Sequence, residues 1–220
     1  MKYVWESVWS KGVKRSTIHF KQFRKVEELA GKLEGMKFLE VGCGSGVDSA
    51  ALHRNYGTEN YCLDFSREAL KITRKNFDDV DLDAHLIMTD LENIPFPDRY
   101  FDVVFSNGVM EHYKNLCKPL TEQRRVLKDE GILVIGVPYA YNLYQIKRAA
   151  KNIFCKWKYG WERGLTLSYL ERALDIAGME VVSHYYDSHP RLYLPSFLRG
   201  GKFNFIINGG IVTFAKKLNV

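Results

Sequence analysis

The nine residues from Phe38 to Gly46, F-L-E-V-G-C-G-S-G, constrain what this chain can fold into more than any other stretch. A short apolar run ends in three glycines at alternate positions, and a helical pattern starts at Val47. The run reads as a strand, and the turn bends more tightly than side chains permit. The helix that follows leaves unpaired N–H groups at its start. The alternation then repeats. Tyr61 to Asp64, Ala84 to Thr89, Phe101 to Ser106 and Ile132 to Val137 read as strands. Helices are expected over 47–56, from an N-cap at Ser66 to Phe77, and over 120–127. The strand segments are apolar on both faces, as buried parallel strands require. Thr166 caps a helix to Ala177, Gly178 stops it, and Val181 to Tyr186 and Ile211 to Lys216 add two strands. The expectation is an α/β fold built on an open, mainly parallel sheet covered by helices.

A length of 220 residues suits one such domain, and an apolar content of 46% with 26% charged residues excludes collagen-like and wholly disordered chains. Cys43, Cys62, Cys117 and Cys155 show no C-x-x-C spacing, so neither zinc nor a disulfide framework is indicated. No apolar run approaches the roughly 20 residues of a membrane span, and Met1 to Ser10 does not read as a signal peptide. A cytoplasmic protein is the expectation. The net charge of +6 is unevenly spread: residues 36–140 carry 12 basic and 17 acidic side chains, whereas 141–165 carry six and one. A basic rim outside an acidic core would attract an anionic partner, and a merely solvated lysine surface is the plainer reading.

In an open α/β sheet, ligands bind beyond the carboxyl ends of the strands, near the point where strand order reverses. Gly42, Gly44 and Gly46 stand there. Asp64, 22 residues after Gly42, ends the second strand, where a carboxylate can accept from two ribose hydroxyls. Asp90 follows the third strand and can accept from an exocyclic adenine amine, with Phe65 against the ring. A nicotinamide-dependent dehydrogenase would share the loop and the first acid. Against it stand the G-x-G-x-G spacing, the additional acid after the third strand and the lack of a Tyr-x-x-x-Lys motif.

The run Phe38 to Gly46 resembles the first motif of the class I S-adenosylmethionine-dependent methyltransferases. Leu91 to Tyr113 (L-E-N-I-P-F-P-D-R-Y-F-D-V-V-F-S-N-G-V-M-E-H-Y) and Gln123 to Pro138 (Q-R-R-V-L-K-D-E-G-I-L-V-I-G-V-P) resemble the next ones. Leu165 to Tyr186 is similar to the family's last helix and strand, though less closely. The resemblance implies a Rossmann-like, seven-stranded, mostly parallel sheet in the order 3-2-1-4-5-7-6 with strand 7 antiparallel. It also implies S-adenosyl-L-methionine as cofactor, with S-adenosyl-L-homocysteine as product. In the family's pattern Glu40 orients the methionine portion, with Gly42, Cys43 and Gly44 bordering it. Asp64 and Phe65 lie at the ribose and ring, Asp90 and Leu91 at adenine, and Asn107 beside the methionine terminus. Lys128-Asp129-Glu130-Gly131 departs from the family's usual Lys-Pro-Gly-Gly, at a turn away from the cofactor.

The whole chain, 1–220, then reads as a single methyltransferase domain: an N-terminal cap (1–35), a cofactor-binding core (36–138) and a substrate-cap insert (139–165). His112 is the candidate catalytic base, with a purely structural role as the plainer reading. The insert places Leu143, Ile146, Ala150, Ile153 and Trp157 at helical spacing beside Lys147, Arg148, Lys151 and Lys158. That pattern suits a cap over the cofactor, the lining of a small-molecule pocket, or peripheral contact with an anionic membrane. Trp5, Trp9, Phe20 and Phe23 suggest one or two N-terminal helices closing the other side of the cleft, where His19 or Arg15 could touch a ligand. His189 to Pro195 could complete the rim. The expected acceptor is a small molecule, anionic or lipid-like. An RNA acceptor and a non-catalytic cofactor-binding protein are the alternatives.

Overall fold

Strand β1 (Lys37–Val41) shows why this sequence makes a two-faced sheet. Leu39 and Val41 enter one apolar layer, and Phe38, pointing the other way, enters a second. β4 (Phe101–Asn107) and β5 (Leu127–Pro138) repeat the division. Val104, Leu133 and Ile135 lie in the first layer, and Val103, Phe105, Ile132 and Val134 in the second. The computed structural model describes residues 2–11, 18–142, 145, 148–151, 159–188 and 209–218. In it, β2 (Glu59–Asp64) and β3 (His85–Met88) extend the sheet on one side of β1. β6 (Met179–Ser188) and β7 (Gly209–Lys217) extend it beyond β5. The order is β3-β2-β1-β4-β5-β7-β6, parallel throughout except for β7, which runs antiparallel to both its neighbours.

The helices cover this sheet. α1 (Lys2–Ser10) and α2 (Phe20–Ala30) precede β1, and α3 (Val47–Tyr56) follows the glycine turn. α4 (Arg67–Asp78), α5 (Cys117–Val126) and α6 (Leu167–Ile176) connect later strands. The expected caps are present: Ser66 Oγ accepts from Ala69 N (3.2 Å) and Thr166 Oγ1 from Tyr169 N (3.2 Å). Gly178 adopts a left-handed φ of +75° at the stop after α6.

Two boundaries differ from the sequence reading by three residues or more. α5 begins at Cys117, three residues early, and β5 begins at Leu127 and runs through the segment expected to be a turn. The pairing shifts between Phe101↔Leu127 and Val103↔Ile132, so the extra residues of β5 form an irregularity and the strand continues. Gly131 permits it, since a Cβ there would stand 2.9 Å from the Asp102 carbonyl oxygen.

Of the insert's expected stripe, Ala150 is exposed and Arg148 half-buried. Arg15, Leu143, Ile146, Lys147, Ile153, Trp157, Lys158 and His189 to Pro195 lie outside the described residues. Among the described residues no helix is long and apolar enough to cross a membrane.

Candidate active site

Strand order reverses between β1 and β4, and the glycine turn sits at that point. Gly42, Gly44 and Gly46 all have positive φ (64°, 57° and 65°), so the turn's path needs residues without a Cβ. Its neighbours press on it as well. A Cβ on Gly42 would lie 2.5 Å from Val109, and one on Gly44 2.5 Å from the Trp9 ring. α4 braces the turn from behind, with Thr73 Oγ1 donating to the Gly44 carbonyl (2.9 Å) and Asn76 Nδ2 to that of Ser45 (2.8 Å).

A cleft of about 530 Å³, solvent-facing space included, opens above this turn; Gly42, Asp64, Phe65, Leu91, Tyr113, His112, Trp5 and Trp9 are among its lining residues. Asp64 is buried and organises the floor: Oδ2 accepts from Gly44 N (3.0 Å) and Oδ1 from Ser66 N (2.8 Å). These bonds use two of a carboxylate's roughly four acceptor sites.

Asp90 stands at the rim, exposed, where its Oδ1 accepts from Glu92 N (3.0 Å) and the Tyr113 hydroxyl (3.1 Å). Burial, then the charge of Asp90, pushes the Tyr113 phenol well above its ordinary range, so Tyr113 is a donor at neutral pH. Leu91, next to Asp90, is buried and faces the cleft.

Glu40, Cys43 and Asn107 lie around the turn but outside the cleft lining. The Cys43 thiol is directed at Thr73 Oγ1 (3.6 Å), and burial holds it protonated. Asn107 Nδ2 lies 3.0 Å from His19 Nε2, and His19 Nδ1 lies 2.7 Å from Asp48 Oδ2. His19, expected to reach a ligand, meets Asp48 and Asn107 and lies outside the cleft lining.

Glu40 accepts from both the backbone N (3.1 Å) and the hydroxyl (2.5 Å) of Ser49. Burial, with the nearby charge of Asp48, nevertheless raises its carboxyl well above the ordinary range. The folded chain therefore holds a proton there that the unfolded chain releases above the normal carboxylate pKa. That contribution to stability is complete below the unfolded value and is lost as pH rises through the folded one. Glu40→Gln is expected to melt a few degrees higher than the native chain at pH 8 and no higher at pH 4, as read by thermal denaturation. Equal melting temperatures at pH 8 would refute the assignment.

His112 ends a 3-10 turn, Met110–His112, and its Nδ1 lies 2.9 Å from the Trp161 carbonyl oxygen. A carbonyl only accepts, so Nδ1 carries the proton of this hydrogen bond. The edge of Trp5 meets the ring at 5.1 Å between centroids.

α1 is fastened over the cleft by an acid the sequence reading missed. Glu6 Oε1 accepts from Arg67 N (2.8 Å), and Oε2 from Ser66 Oγ (3.0 Å) and Glu68 N (3.3 Å). It caps α4 from 60 residues away, and no local pattern signals such a partner. Tyr113, Val109 and Thr89 were also missed as lining residues.

Residues 39–135 match the family model of a methyltransferase domain. The matched segment is a methyltransferase domain of the class I S-adenosylmethionine-dependent kind, a family whose cofactor is S-adenosylmethionine. The chain is 29% identical over 147 residues to the malonyl-[acyl-carrier protein] O-methyltransferase of Buchnera aphidicola, a match covering 63% of this chain and 58% of that one. It is 30% identical to the fatty-acid O-methyltransferase of Mycolicibacterium smegmatis, covering 67% and 51%. The chain thus spans about half the length of these curated relatives. Among solved structures, a methyltransferase from Methanosarcina mazei superposes with a TM-score of 0.71 at 18% identity, covering 93% of this chain and all of that one, and this supports the fold.

Proposed function

We propose that this chain transfers the methyl group of S-adenosylmethionine to a small acceptor that is anionic or lipid-like. The observation that carries the reading is the buried Asp64 carboxylate fixed beside the glycine turn in a cleft with aromatic and apolar walls. Asp64 would hold the ribose hydroxyls, Phe65 and Leu91 flank the adenine, and Asp90 with Tyr113 close its edge. Glu40 and Asn107 serve the methionine end. When bound, S-adenosylmethionine supplies a methyl group already activated by its sulfonium. The chain's own task is then to align the acceptor and keep water out, with Trp5 and Trp9 as walls. A carboxylate acceptor needs no base, and His112 is then part of the wall. A hydroxyl acceptor would pass its proton to His112 Nε2, and kcat/KM would rise through the imidazole range only in that case.

The names of the relatives support the acceptor class, since they describe transfer to a fatty acid and to malonyl-[acyl-carrier protein]. The test is methyl-labelled cofactor offered to metabolite pools, lipid extracts and RNA. Label in a small organic-soluble product is expected. Label confined to RNA would overturn the acceptor class, and cofactor binding without any transfer would favour a non-catalytic binder.

A further inference from the structure

Residues 161–165 form a strap beside the site. The Trp161 carbonyl accepts from His112, Arg163 N donates to the Glu111 carbonyl (3.1 Å), and Leu165 N donates to that of Pro138 (2.9 Å). The strap thus joins the turn that carries His112 to the end of β5.

Arg163 is held in place on this strap by aromatic groups. Its Nη2 donates to the Tyr169 hydroxyl (2.7 Å), and its guanidinium carbon stands 4.6 Å from the Tyr169 ring centre and 5.7 Å from that of Trp161. No acid pairs with it among the described residues, and its Nε is buried without a hydrogen-bond partner there. Trp161 and Tyr169 are 44% and 41% exposed.

A second polar group nearby is also unsatisfied. Gln145 is 8% exposed, and neither Oε1 nor Nε2 has a partner among the described residues. Its amide lies against Gly164, where a Cβ would stand 2.9 Å from both its Cδ and its Nε2. Burying such groups without partners costs free energy.

We infer that the strap is an anchoring site for the carboxylate of an amphiphilic acid, gripped by the Arg163 guanidinium, with its apolar chain on Trp161 and Tyr169. A planar guanidinium stacked in place is preorganised for a carboxylate's two oxygens, and the exposed rings supply the apolar complement. The inference rests on the proposed reading in taking the acceptor itself to be the occupant. The binding it requires is measurable without turnover.

The test is calorimetric titration of the full chain, loaded with S-adenosylhomocysteine, using laurate below its micelle concentration and dodecanol as the neutral analogue. Laurate should bind roughly tenfold tighter or more. Arg163→Gln should remove that preference and leave dodecanol unchanged, with Arg163→Lys in between. Equal affinity for the two in the native chain would overturn the inference without any variant. So would an equal loss for both ligands in Arg163→Gln, or Arg163-dependent binding to phosphatidylglycerol vesicles with none to laurate. If no acceptor is methylated but laurate binding still depends on Arg163, the proposed activity fails and the acid site stands. If transfer occurs with an unchanged acid preference in Arg163→Gln, the acid site fails alone.

Discussion

Asp64→Ala should weaken S-adenosylhomocysteine binding by at least about tenfold, or 1.4 kcal/mol, in isothermal titration calorimetry. Two losses act together. The ligand loses the carboxylate proposed for its ribose, and the backbone N–H groups of Gly44 and Ser66 each lose their acceptor oxygen. Those groups shape the glycine turn and the start of α4, so the variant should also unfold more readily, by about 1–3 kcal/mol for the buried donors left behind. Asp64→Asn separates the effects, because the amide oxygen can still serve one backbone donor and its nitrogen none. The chain should then recover part of its stability while affinity stays low. Unchanged affinity in Asp64→Ala would remove Asp64 from the ribose role.

The largest effect on stability is expected at Phe105, which is fully buried behind the site. Its ring centre lies 5.7 Å from that of Phe38, 5.8 Å from Phe23 and 6.3 Å from His19. Phe105→Ala leaves a cavity at the junction of β1, β4 and α2 and should cost about 3–5 kcal/mol. Against a total stability of about 5–15 kcal/mol, that is a shift readily seen in urea unfolding. The loss reaches the site as well. Phe105 pairs with Glu40 in the sheet register and packs near His19, so weaker cofactor binding should accompany the lower midpoint. A loss under about 1 kcal/mol would show that α2 does not depend on this contact.

The sheet was legible because its signals are local. Apolar runs, Ser66 and Thr166 as caps, and glycines where φ is positive each act within a few residues. The positions of Asp64 and Phe65 in the cleft followed from the same logic, since Asp64 ends β2 and Phe65 comes next, whereas Leu91 came from the family resemblance. Strand order came from a family resemblance and not from periodicity, which carries no information about neighbours. Asp90 shows where local reasoning stopped. It follows its strand as expected, yet its carboxylate turns to Tyr113 and Glu92, while Leu91 faces the cleft.

The amino-acid pattern alone determined the alternation of strands and helices, the tight glycine turn and the acids that flank it. All of these arise from backbone sterics and side-chain periodicity over short spans. The tertiary structure decided that Glu6 caps α4, that Trp9 covers Gly44, that His19 meets Asp48 and Asn107, and that Arg163 lies near the Trp161 and Tyr169 rings. Apart from the short-range Arg163 contact, these contacts join residues far apart in the chain, and even that contact depends on how the strap is held. Their geometry is fixed only when the whole sheet and its helices have packed.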